Sequence, residues 1–151
     1  MAQRREARTA VIQALYADEI GKEQWTRIIQ TVIKPRLEDP DTFKFAERLF
    51  LKTVNNQEVV DEVITTHINN WSIDRLNTID LQILRLAIVE FLYFEQIPTK
   101  VTINEAIEIA KKFSTKKSGH FVNGILDSAL DQLKKDGRIK KEGRGLIETS
   151  L

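Results

Sequence analysis

The chain has no cysteine. Disulfides and thiolate metal sites are therefore excluded, and a reducing compartment is the natural setting. It has no apolar run long enough to span a membrane. The start, Met1-Ala2-Gln3-Arg4-Arg5-Glu6, has no apolar stretch of signal-peptide type. These features predict a cytoplasmic protein with no membrane partner. Histidine is scarce: the two present, His67 and His120, lie far apart, so no metal site is expected. Glycine is scarce as well, and none of the six builds a phosphate loop or a dinucleotide fingerprint. Glu105 and Glu108 pair at i, i+3, but on a lysine-bearing helix such pairs are usually solvated charges. The absences point away from an enzyme, and no cofactor is expected.

What is present fits one soluble domain. The 151 residues are 42% hydrophobic and 30% charged, which allows a real core. The net charge is only +1, so any affinity for nucleic acid has to come from local patches. Arg4, Arg5 and Arg8 face Glu6 alone near the start. From Lys111 to His120 the chain carries Lys111, Lys112, Lys116 and Lys117 with no acid, and it is basic again from Lys134. Acids gather at Glu38, Asp39 and Asp41, and at Asp74 and Asp80. Separated patches of opposite sign suggest more than one partner.

Apolar residues recur at helical spacing almost throughout, and no sustained alternation of period two occurs. The spacing predicts a helix from about Arg4 to Glu19, closed by Gly21, and a second carrying Trp25, Ile28, Ile29, Val32 and Ile33. Two prolines and an acidic run between Pro35 and Pro40 mark a turn. A third helix runs from Asp41 toward Val54 through Phe43, Ala46, Leu49 and Phe50, and a fourth carries Val59 to Ile68. Asn69-Asn70-Trp71-Ser72 reads as a joint. Asp80 to Phe94 is apolar on most faces and is expected to be central. Thr102-Ile103-Asn104-Glu105 reads as a capping box opening the next helix, which runs to Phe113. A last helix spans about Ser118 to Lys135, with Gly137 as its stop. The expected fold is all-α: a compact bundle of about seven helices in two packed halves, about 1–70 and 71–137, with 138–151 a mobile polar tail.

Four features suggest function. Arg4, Arg5 and Arg8 stand in the first turns of the first helix, where cations oppose the helix dipole. An anion would remove that conflict. On the helical wheel Tyr16 falls near Arg5 with Ile12 between, so the face reads as a basic stripe with an aromatic, suited to RNA. A solvated N-terminus explains the same residues. The second feature is the loop Phe113-Ser114-Thr115-Lys116-Lys117-Ser118-Gly119-His120-Phe121, a candidate anion site or simply a solvated lysine run. The third is Gly124, for which close helix packing is the plainer reading, beside Asn123, which could face a ligand. The fourth is Asp74 and Asp80, either dipole partners for a helix start or an acidic protein-binding patch.

Three segments together carry a resemblance. They are Arg8-Thr9-Ala10-Val11-Ile12-Gln13-Ala14-Leu15-Tyr16, Asp80-Leu81-Gln82-Ile83-Leu84-Arg85-Leu86-Ala87, and Pro98 through Asp127. The last contains Ile103-Asn104-Glu105-Ala106-Ile107-Glu108-Ile109-Ala110-Lys111 and Phe121-Val122-Asn123-Gly124-Ile125-Leu126-Asp127. The sequence resembles the NusB family of bacterial transcription antitermination factors over nearly all of the chain except the tail. The resemblance implies an all-helical fold of two bundled halves. It implies binding to the boxA element of ribosomal RNA transcripts together with NusE, a ribosomal protein, in a complex that helps RNA polymerase resist termination. It assigns RNA contact to Arg4, Arg5 and Arg8, and to Lys116, Lys117, Ser118, His120, Phe121 and Asn123. It assigns the NusE face to Tyr16, Asp74 and Asp80, so Tyr16 serves the protein partner rather than a base. A homodimer of the free protein stays open.

Two rivals remain at this point. The helical RNA-binding domain of certain ribosomal RNA methyltransferases is similar to NusB, but no cofactor-binding glycine loop occurs here. The other is a protein-binding adaptor with no RNA role. The sequence reading further expects Arg5→Ala with Arg8→Ala to weaken RNA binding with the fold intact. It expects Asp80→Lys to weaken the NusE contact without affecting folding.

Overall fold

The computed structural model describes residues 2–68 and 73–146. The expected joint at Asn69 to Ser72 lies outside the described residues, as do the last five residues of the tail. Among the described residues there are seven α-helices and no strand: α1 (Ala2–Gly21), α2 (Trp25–Ile28), α3 (Pro40–Asn55), α4 (Gln57–His67), α5 (Thr78–Tyr93), α6 (Thr99–Phe113) and α7 (Lys116–Lys135). The all-α expectation holds. The fold divides into two compact units, Met1–Asn55 and Asn56–Leu151. The division falls after α3, whereas the sequence reading set it near residue 70. Helix α4 packs on α5 and α7 and so belongs with the second unit.

In the first unit α1 packs on α3 and on the segment that follows α2. Ala7, Ala10, Val11, Ala14 and Leu15 form its buried face, as the spacing required. Helix α1 runs through Gly21, and it is Lys22 that takes the left-handed turn, at φ 50°. The second predicted helix is irregular. After four α-helical residues, Ile29–Ile33 form a π-helical turn and Lys34–Arg36 a 3-10 turn containing Pro35. Ile28, Ile29 and Ile33 are nonetheless buried, so the apolar spacing survives the change of winding. Asp39 starts α3 by a two-pronged cap: its Oδ2 accepts from the Thr42 amide and from Thr42 Oγ1, both at 2.9 Å. The Thr42 amide, then its hydroxyl, holds the Asp39 carboxyl below its usual pKa. Pro40 follows as the first helical residue, where a missing N–H costs nothing.

In the second unit α5 is the axis, with every residue from Asp80 to Phe91 buried. Asn77 caps it, accepting from the Ile79 and Asp80 amides. Helices α4, α6 and α7 pack around it. Arg85 and Glu90 find partners across the unit. Arg85 makes a two-pronged pair with Asp61 of α4, both bonds at 2.8 Å. Glu90 accepts from Thr102 Oγ1 at 2.7 Å.

That last bond corrects the capping box. Helix α6 starts at Thr99 after Pro98, so Thr102 lies inside it, and its hydroxyl serves the buried Glu90 instead of a helix end. The sequence signature is local, whereas the competing acceptor sits 12 residues away. Gly124 is also corrected: it is exposed, and a Cβ there would meet nothing within 4 Å. The close approach falls at Gly119, where a Cβ would lie 3.1 Å from Lys111 Cγ of α6. Gly137 does end α7, at φ +70°. The amide of Arg138 reaches the Leu133 carbonyl and that of Gly137 reaches Lys134, the paired bonds of a Schellman stop.

The tail is not a mobile polar segment over residues 138–146. Lys141 is buried, and its Nζ donates to the Glu90 and Phe94 carbonyls at 2.9 and 2.8 Å. The Glu142 amide donates to the Glu95 carbonyl at 3.0 Å. The chain thus lies as a strap over the end of α5, where the last carbonyls of a helix want donors. Composition alone marks this stretch as solvent-loving, because a lysine's hydrogen-bonding to distant carbonyls has no local signature.

Candidate functional site

Helix α1 has no acid in its first turn. Arg4 and Arg5 are exposed there, whereas Arg8 is buried at 2% exposure. Arg4 and Arg8 stand one turn apart and share the ring of Phe45 on α3, with guanidinium carbons 4.2 and 5.7 Å from its centroid. Ile12 is buried at 3% and Tyr16 is exposed at 42%. The stripe from Arg5 through Arg8 and Ile12 to Tyr16 is therefore not one open face. Its middle is core, and the basic end and the tyrosine are separate exposed places. The test by Arg5→Ala and Arg8→Ala changes accordingly, because truncating a buried arginine also removes packing. Arg4 and Arg5 are the pair whose removal separates binding from folding.

Thr115 caps α7, its Oγ1 accepting from the Ser118 amide at 3.1 Å. Residues 116–120, read from sequence as loop, are therefore the first turns of that helix. Winding sorts the residues assigned to RNA. Lys116, Lys117, His120 and Phe121 point outward, Asn123 is half-buried, and Ser118 and Gly119 turn inward. Lys117 and Phe121 fall four residues apart, on one face. Phe113, at the end of α6, is exposed at 42% with Lys112 Nζ 5.4 Å from its ring centroid. In the sequence Phe113 opens the loop named as the second candidate anion site, but nothing there says that its ring is exposed.

Ser118 faces Asp80. Its Oγ donates to Asp80 Oδ2 at 3.1 Å and pairs with Ser114 Oγ at 2.8 Å. Asp80 is only 6% exposed, and its Oδ1 is buried with no partner. Reached from α5, this carboxylate supplies near the start of α7 the negative charge that α7's own first turn lacks. Burial pushes the Asp80 carboxyl up, and the Ser118 hydrogen bond offsets part of that. Asp74, in a 3-10 turn before α5, is exposed.

These positions change what Asp80→Lys should do. An ammonium placed against Ser118 in the core is expected to loosen the start of α7, so folding is not spared. Asp80→Asn is the cleaner probe. Between the ordinary carboxyl pKa of 3.8 and its raised folded value, the folded state keeps a proton that the unfolded state has lost. Stability from this group therefore falls as pH rises through that window. In Asp80→Asn that slope should vanish from a plot of Tm against pH. An unchanged slope would mean Asp80 is not its source.

Among the described residues no cluster of histidine or acid could hold a metal ion, and no helix is long and apolar enough to cross a membrane.

The profile of the NusB family matches residues 5–131. The chain belongs to the NusB family. The transcription antitermination protein NusB of Salinibacter ruber is 46% identical over 148 residues, covering 97% of this chain and 92% of that protein. The solved structure of T. maritima NusB matches with a TM-score of 0.79 at 38% identity, over 85% of this chain and 91% of that one. A structure of the antitermination factors NusB and NusE in complex with dsRNA matches with a TM-score of 0.80 at 26% identity. It covers 87% of this chain and 98% of that one. The family profile ends before the strap at 138–146, whereas the alignment with the Salinibacter ruber protein runs through it.

Proposed function

We propose that this protein is an antitermination factor that binds the boxA element of ribosomal RNA transcripts together with NusE and helps RNA polymerase resist termination. The observation that carries the reading is the likeness, over 87% of this chain, to a NusB solved with NusE and dsRNA. The exposed cations support it. Arg4 and Arg5 offer guanidinium forks at the start of a 20-residue helix, where amides also point at an anion. Lys116, Lys117, His120 and Phe121 offer a second basic surface with an aromatic for base stacking. Ser118 contributes by holding the start of α7, and Asn123 lies at the edge of that surface. Tyr16 and Asp74 are the exposed members of the NusE set, with Asp80 acting from within.

The test is fluorescence anisotropy of labelled boxA RNA against a scrambled RNA, with and without NusE. Preference for boxA that tightens with NusE is the expected result. Arg4→Ala with Arg5→Ala should weaken binding by about tenfold or more and lower the salt slope by roughly one for each phosphate no longer neutralised. Equal, salt-labile binding to both RNAs would leave only a basic patch and favour a protein adaptor.

A further inference from the structure

Phe45 is out of place by the logic of its own helix. The buried stripe of α3 runs through Thr42, Ala46, Leu49, Phe50 and Thr53. Phe45 lies beside that stripe, half-buried, next to the charged positions Lys44, Glu47 and Arg48. Its ring is met by two cations from α1, Arg4 at 4.2 Å and Arg8 at 5.7 Å. Arg8 is buried and Arg4 exposed, so the same ring spans from the core to the surface.

A ring face attracts a guanidinium through its quadrupole. Fixing a long arginine beforehand also removes part of the entropy lost on binding. Helix α1 needs such help, because the dipole at its start disfavours cations.

We propose that Phe45 is a positioning residue whose ring, shared with the buried Arg8, holds the exposed Arg4 in place for RNA phosphate. This rests on the RNA-binding reading above.

The test replaces Phe45 by mono-, di- and trifluorinated phenylalanine in the full chain. Fluorine drains the ring face of negative potential while nearly preserving its shape. Affinity for boxA RNA, its salt slope and Tm are measured across the series. Binding should weaken stepwise, by about two- to fivefold at trifluorophenylalanine, the size of an exposed cation–ring interaction. The salt slope should stay constant, since the number of phosphates met is unchanged, and Tm should fall by no more than a few degrees, the size of the weakened ring contact. In an Arg4→Ala background the trend should disappear. A flat series in a protein that binds RNA would overturn the proposal, even if Phe45→Leu weakened binding, because leucine also removes packing. A trend that persists in Arg4→Ala would overturn the assignment to Arg4. Absence of RNA binding by the unsubstituted protein would overturn the RNA reading itself, and with it this one.

Discussion

Asp61→Ala is expected to destabilise the protein by about 3 kcal/mol, near the lower end for breaking a buried ion pair. Arg85 is 4% exposed on the central helix, and Asp61 is 25% exposed. The two carboxylate bonds, both 2.8 Å, are the geometry in which arginine and carboxylate bind most strongly. Gln82 Oε1 lies 3.3 Å from Arg85 Nη1, too weak an interaction to replace a full negative charge. Without Asp61 the guanidinium would stay in the core and lose both of its 2.8 Å carboxylate bonds, which is the costly half of the arrangement. Partial exposure of Asp61 admits water and keeps the effect from the top of the range. Urea unfolding of Asp61→Ala, Arg85→Leu and the double variant would measure it as a cycle. The double variant should be less destabilised than the sum of the single ones. A cost below about 1 kcal/mol for Asp61→Ala would mean the pair behaves as a surface bridge.

Gly145→Ala should detach the strap. A Cβ on Gly145 would land on the Glu95 carbonyl oxygen, which is backbone and cannot swing aside. Gly143 is similarly confined, at φ +53° with Gln96 Oε1 2.6 Å from its would-be Cβ. Lifting the strap breaks the Glu142–Glu95 bond and withdraws Lys141 from the two carbonyls at the end of α5. The Glu142 amide should exchange at least about tenfold faster, and trypsin should cut at Lys140 and Lys141 sooner, as for any locally opened segment. Equal protection in both proteins would show that residues 138–146 are held by something other than this docking. The strap also carries a pH signature. Burial pushes the Lys141 ammonium from 10.5 down to about 8, with Glu90 and Glu95 opposing the shift. Between about pH 8 and 10.5 the free strap holds a proton that the docked strap has released. The docked state is therefore weakened by this group below that window, and docking should loosen as pH falls from 10.5 toward 8 and level off beneath it. Exchange of the Glu142 amide, corrected for intrinsic rate, would follow it.

Much was legible in the chain by itself. Helical periodicity placed the long helical segments, because the spacing of apolar residues is a local property that burial then enforces. Helix α5 came out central and buried, as read, whereas Phe121, which follows the apolar spacing of α7, faces outward. The family was legible from the strings around Asn104 and Asn123, and the match over residues 5–131 bears it out. The basic residues near the start of α1 and α7 were visible as composition.

What stayed hidden depended on partners distant in sequence. Thr102 reads as a cap until Glu90 claims its hydroxyl. Arg8 reads as a surface cation until Phe45 of α3 covers it, and Asp80 as a surface acid until Ser118 of α7 meets it. Phe45 did leave a trace, an aromatic off the apolar stripe of an amphipathic helix, but nothing local says that arginines would fill the space above it. The tail reads as polar because lysine usually is solvated. Only the fold reveals two carbonyls at the end of α5 that an ammonium can reach. The sequence alone thus determined helix positions, apolar faces and family, because each is written in spacing or in short strings. Tertiary structure alone decided which charges are buried, which face outward and that residues 138–146 are tied down. Those depend on what the other helices bring to the same place, and no window along the chain contains both partners.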